Sequence, residues 1–110
     1  MRSHRMHNLS SFQRDLLITV AGMGPISGTE IKDHIEERWG EEVNHSRLYP
    51  NLEDLAMMNL IRINKNTGGR HNHYSVMPMG ERNITSYREW ESNHLDEEED
   101  AEREENDEIE

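Results

Sequence analysis

The chain has no cysteine, which excludes disulfide staples and thiolate zinc sites and suits a cytoplasmic protein. Aromatic residues make up only 5% of its 110 residues, and hydrophobic residues 32%. That leaves room for one domain with a modest core. No apolar run approaches the length of a membrane helix, and no signal-peptide pattern stands at the N-terminus. A phosphate loop, a nucleophile elbow and an HExxH motif are all missing. Neither catalysis nor a cofactor is expected.

What is abundant is acid. The formal net charge is -11, which argues against a polyanionic partner until its distribution is read. Residues 1–90 carry eleven Lys/Arg and eleven Asp/Glu, so this part is formally neutral. Residues 91–110 carry twelve acids and one base, Arg103. Such a block repels itself, and residues 96–110 are expected to form a disordered acidic tail that solubilises the chain. Only two of the basic residues are lysines, Lys32 and Lys65, a bias that resembles proteins of halophilic archaea.

Residues 1–8 show no periodicity and read as a mobile arm ahead of a domain over 9–95. Ser10 and Gln13 have capping-box spacing, and Leu9, Phe12, Leu16, Leu17 and Val20 then recur at helical steps. Gly22, Gly24 and Pro25 stop that helix. Ser27 and Glu30 form a second capping box, with Ile26 and Ile31 placed for a hydrophobic staple and Gly40 as terminator. A third helix runs from about residue 44 or 46 to 59, with Leu48, Leu52 and Leu55 as its buried stripe. Asn44, Arg47, Asn51 and Asp54 repeat along another face. Pro50 is tolerable there only if the helix starts close before it. Two strand-like runs, Leu60 to Ile63 and Tyr74 to Val76, flank the turn signal Asn66-Thr67-Gly68-Gly69. Pro78 opens a last helix with Ile84, Tyr87 and Trp90 on one side, fraying near Leu95. Helix, helix, helix, hairpin, helix is the order of a winged helix-turn-helix. The class is α+β, mainly α, with an N-terminal helix and a C-terminal dimerisation helix.

Ser27 to Gly80 resembles the PadR-like family of winged-helix regulators. The likeness rests on Gly28-Thr29-Glu30-Ile31, on Ser46-Arg47-Leu48-Tyr49-Pro50-Asn51-Leu52 with Leu55, on Asn59-Leu60-Ile61, and on Gly69-Arg70 with His73-Tyr74-Ser75-Val76. Two features depart from it. Met77-Pro78-Met79-Gly80 stands where the family often has Leu-Thr-x-x-Gly, and one helix follows the wing, as in the family's short branch. The resemblance implies a transcription factor, usually a repressor, that dimerises through its terminal helices.

The third helix offers Asn44, His45, Ser46, Arg47, Tyr49 and Asn51 to DNA. Arg47 and Asn51 suit base edges, because Arg pairs with guanine and Asn with adenine in the major groove. Lys65, Thr67, Gly69, Arg70 and His71 form the wing, with Arg70 suited to a narrow minor groove. Phe12, Leu16, Ile84, Tyr87 and Trp90 are expected at a dimer interface. The expected partners are double-stranded DNA carrying an inverted repeat and a second copy of the chain. The acids of the second helix, Asp33, Glu36, Glu37, Glu41 and Glu42, are expected to face away from DNA. Two alternatives remain open: a metal- or ligand-responsive sensor using His71 and His73, and a winged-helix interaction module without DNA binding. Two histidines on a polar wing are more often surface groups than ligands, so no metal site is assigned.

Overall fold

The computed structural model describes residues 6–65 and 71–109, with side chains as far as Leu95. A 3-10 turn, Met6–Asn8, precedes α1 (Ser11–Met23), β1 (Ile26–Ser27), α2 (Gly28–Trp39), α3 (His45–Met57), β2 (Ile61–Asn64), β3 (His73–Val76) and α4 (Pro78–Ile109). This is the winged-helix order read from the sequence. Both capping boxes form: Ser10 with Gln13, and Ser27 with Glu30, each cap side chain accepting from the backbone amide three residues on. Gly40 ends α2 at φ 71°, a left-handed conformation that glycine adopts without steric cost.

Helix α3 starts five residues before Pro50, so the proline lies inside it and its missing amide costs one bond of the second turn. The helix ends in a Schellman arrangement. Asn59, at φ 61°, donates its amide to the Ala56 carbonyl, and the Leu60 amide donates to the Leu55 carbonyl. Asparagine tolerates this backbone better than most residues. The reversal turns the chain directly into β2.

The sheet has three antiparallel strands in the order β1-β3-β2. Ile61 pairs with Val76 and Ile63 with Tyr74 in the hairpin, while Ile26 pairs with Tyr74 across the other edge. Strand β1 escapes sequence reading, since two residues are too few to show a period. The core gathers Leu16, Leu17 and Val20 of α1, Ile31 and Ile35 of α2, Leu48, Leu52 and Leu55 of α3, and Leu60. Helix α1 is the hub, touching α2, α3, α4 and β3.

Three expectations need revision. Residues 6–8 do not belong to a mobile arm: Met6 is buried, and the turn packs against α4. A thioether among polar neighbours gives no periodic signal, which hides it from sequence reading. Phe12 and Leu16 are not interface residues, being enclosed within the single chain at 3% and 0% exposure. A central helix needs apolar residues on nearly all sides, so their number is no surplus. Finally, the α4 backbone continues to Ile109, through the acidic run where the sequence reading expects a disordered tail. Glu, Ala and Arg are good helix formers, and extending a nucleated helix is far cheaper than starting one.

Helix α4 is seated by a close approach. The Leu60 carbonyl accepts the Met77 amide at 2.9 Å, and Gly80 packs against the same oxygen so closely that a Cβ would overlap it. Gly80→Ala is therefore expected to lower unfolding free energy by about 1–3 kcal/mol, as overpacking of rigid backbone does, measured by urea denaturation.

Glu36 links α2 to the loop before α3. Its carboxylate accepts the Val43 amide at 2.9 Å and the Lys32 ammonium at 3.0 Å. The Val43 amide first, then Lys32, holds this carboxyl below the ordinary range; Ser27 does the same for Glu30. A depressed folded-state pKa stabilises the fold above the unfolded value, and that contribution disappears as pH falls through the folded one. Chemical denaturation at stepped pH is expected to show stability falling below about pH 4.5. Glu36→Gln is expected to flatten part of that fall.

Candidate nucleic-acid interface

The Ser27 cap fixes where α2 begins, and Gly40 with Val43 fixes the turn into α3. Gly28 lies under the ring of Tyr49: a Cβ there would stand 2.7 Å from the ring and from its hydroxyl. This contact sets Tyr49 against the start of α2. His45 meets the Tyr49 ring edge-on at 5.5 Å. Asn44 is the N-cap of α3 but makes no side-chain cap hydrogen bond, unlike Ser10 and Ser27. Amides at a helix start oriented in this way suit an anion such as phosphate.

The Leu48, Leu52 and Leu55 side chains are fully buried, which fixes the rotation of α3. One flank then turns to α1. There Arg47 lies with its guanidinium 4.2 Å from the Phe12 ring centroid and 5.1 Å from that of Trp39. Phe12 and Trp39 meet edge to face at 5.3 Å. The Trp39 indole donates to Asp15 at 2.6 Å, and Arg38 donates to the same carboxylate oxygen at 3.2 Å. One turn along, Asn51 accepts from Gln13 at 3.0 Å and donates to the Arg47 carbonyl at 2.7 Å. Both polar ends of Asn51 are thus engaged inside the chain, while Arg47 remains exposed.

The other flank borders a groove of about 670 Å³ between α3 and the hairpin. Tyr49, Glu53 and Met57 line it from α3, with Lys65 and His71 at the feet of the hairpin. Tyr74 closes its floor, and burial pushes its phenol above the ordinary value. His45, Ser46, Lys65 and His71 are exposed, as a DNA-facing role requires. Thr67, Gly69 and Arg70 lie outside the described residues. Among the described residues, no three His, Asp or Glu side chains come together as a metal site would require. Glu36 of the acidic α2 set is turned to Lys32 and Val43.

Between the flanks runs a stripe that the sequence reading passed over: Ser46, Pro50, Glu53 and Met57, at steps of four, three and four, opposite the leucines. All four are exposed, Met57 at 81%. The leucine positions alone would have located it, but Pro50 and Met57 do not look like a polar face.

At the far end, Ile84 and Tyr87 pack partly on the core, and Arg14 donates to the Tyr87 hydroxyl at 3.3 Å. Trp90 is 61% exposed and Leu95 50%, with the His94 ring stacked on Trp90 at 5.8 Å. No described helix is long and apolar enough to cross a membrane.

Comparison with known proteins agrees with this geometry. RosR of H. salinarum, grown from NaBr, is 33% identical over 93% of this chain and 94% of that chain, with a TM-score of 0.75. The complex structure of hsRosR-S1 gives the same identity and TM-score over 94% of both chains. PadR of Bacillus subtilis, solved in complex with operator DNA, shares the fold at 20% identity and a TM-score of 0.59, over 71% of this chain and 47% of that one. No curated protein matches significantly. The model of the PadR-like family of transcriptional regulators matches residues 17–86. The chain belongs to that family.

Proposed function

We propose that this protein is a sequence-specific DNA-binding repressor that acts in the cytoplasm as a homodimer. The observation that carries the reading is the exposed start of α3. Asn44, His45, Ser46, Arg47 and Tyr49 are gathered there on a helix whose rotation the buried leucines fix. In this reading α3 enters the major groove, and the wing, with Lys65, Arg70 and His71, reaches the adjacent minor groove. PadR of Bacillus subtilis, which shares this fold, was solved in complex with operator DNA, and that supports DNA as the partner. The family supports regulation by binding, without catalysis.

The charge distribution sets the character of the binding. A formally neutral body releases few counterions on docking, so affinity rests on a small number of contacts. Binding to an enriched duplex, followed by fluorescence anisotropy, is expected to give a log–log salt slope shallower than about -4. Arg47→Ala and Arg70→Ala are each expected to weaken binding by roughly tenfold. If neither changes binding, the reading fails and the chain is a winged-helix interaction module instead.

In this reading the dimer pairs through α4. Trp90, a large apolar side chain left in solvent, continues the line of the half-buried Ile84 and Tyr87 at steps of three along α4. A two-fold pairing of these helices would bury them and set two α3 helices about 34 Å apart, one turn of DNA, on an inverted repeat. Sedimentation at micromolar concentration is expected to show a dimer, and Trp90→Asp a monomer with a folded circular-dichroism spectrum. A wild-type monomer would remove the claim.

A further inference from the structure

The proposed DNA-facing surface contains an acid whose presence the binding reading alone does not explain. Glu53 sits on the outward stripe of α3, between Pro50 and Met57. Its side chain is exposed, and no hydrogen bond or ion pair among the described residues takes its carboxylate. Lys65 and His71 line the same groove without pairing to it. Glu36, by contrast, is tied to Lys32 and Val43, and Asp15 to Arg38 and Trp39.

An ionised carboxylate can only accept hydrogen bonds, so it repels phosphate and finds partners in the major groove only at exocyclic amines. Guanine presents two acceptors there and thymine an acceptor beside a methyl group. Adenine places its amine next to the acceptor N7, which would oppose the second carboxylate oxygen. Cytosine presents its N4 amine with the O6 of its paired guanine on one side and only its own C5–H on the other, so a carboxylate can approach from the C5 side without meeting an acceptor on the same base. Against guanine or thymine the carboxylate would be desolvated without a donor, and against adenine its second oxygen would face N7; either costs more than a good contact gains. Asn51, the adenine reader expected from its residue type, has both polar ends bonded to Gln13 and to the Arg47 carbonyl.

We infer that Glu53, in place of Asn51, is a base-specifying residue of α3, accepting a hydrogen bond from the N4 amine of one cytosine in each half-site. The inference rests on the DNA-binding reading above and adds to it a residue and a base. Its sign is as important as its strength: Glu53 lowers affinity for DNA in general and raises discrimination.

The test is selection of enriched duplexes from a random pool by the full-length chain and by Glu53→Gln and Asn51→Ala. The wild type is expected to fix one cytosine per half-site. Glu53→Gln, a side chain that pairs with adenine, is expected to move that position toward adenine by about tenfold, with neighbouring positions unchanged. It should also bind unselected DNA more tightly, having lost a negative charge. Because the Glu53 side chain is exposed and unbonded, the variant should keep the wild-type helical spectrum. Asn51→Ala is expected to keep the cytosine. An unchanged base preference in Glu53→Gln, or a base position relaxed by Asn51→Ala, overturns the assignment while leaving DNA binding intact. A wild-type chain that enriches no sequence overturns the DNA-binding reading and the assignment with it.

Discussion

The rotation of α3 depends on what lies beneath and beside it. Three leucines turn one face inward, but a helix held only by a leucine stripe can still roll by some degrees. The seat made by Phe12 and Trp39 limits that roll. Arg47 covers both rings, a cation–π contact typically worth about 0.5–1 kcal/mol at an exposed site. Asp15 holds the indole from below, and the Gln13–Asn51 pair adds a second tie one turn along. Every other property of the candidate interface, from the outward stripe to the groove beside the hairpin, is a consequence of that orientation. The same contacts explain why α1 is central: it contributes Phe12 to the seat on one side and meets the sheet and α4 on others.

Much of the fold was legible because its signals are local. The two capping boxes require only a hydroxyl and a carboxamide or carboxylate three residues apart, and both formed as written. The hairpin was announced by alternation around a glycine-rich turn. What was hidden depends on three-dimensional company. Met6 has no periodic neighbours, yet it is buried. Strand β1 exists because β3 offers Ile26 an edge to pair with, which no window of sequence contains. The length of α4 turned on a competition between like-charge repulsion and helix propensity, and composition weighed the first more heavily.

The candidate site was legible in its location and less so in its parts. Polarity singled out Asn44, Arg47, Asn51 and Asp54 as a face. Yet Arg47 covers rings of α1 and α2, and Asn51 bonds to α1 and within α3 itself. Polar residues on a recognition helix can serve the protein's own packing, and only their partners distinguish the two uses. The outward stripe mixes Ser46 and Glu53 with Pro50 and Met57, so a search for hydrophilic runs passes over it. Its geometry was nonetheless implied by the leucines, since the side of a helix opposite its buried stripe is fixed once that stripe is known.

The close contact between Gly80 and the Leu60 carbonyl has a mechanical meaning. From Gly80 to Trp90 the helix spans about 15 Å. A tilt of roughly 10° at the contact would therefore displace Trp90 by roughly 2.6 Å, on the scale of a side-chain contact. A glycine that admits no gap at this fulcrum keeps the lever arm stiff at its root. In the proposed dimer, the separation of the two recognition helices, and hence the spacing of the half-sites they could span, would be set by a backbone contact about 15 Å from the tryptophan.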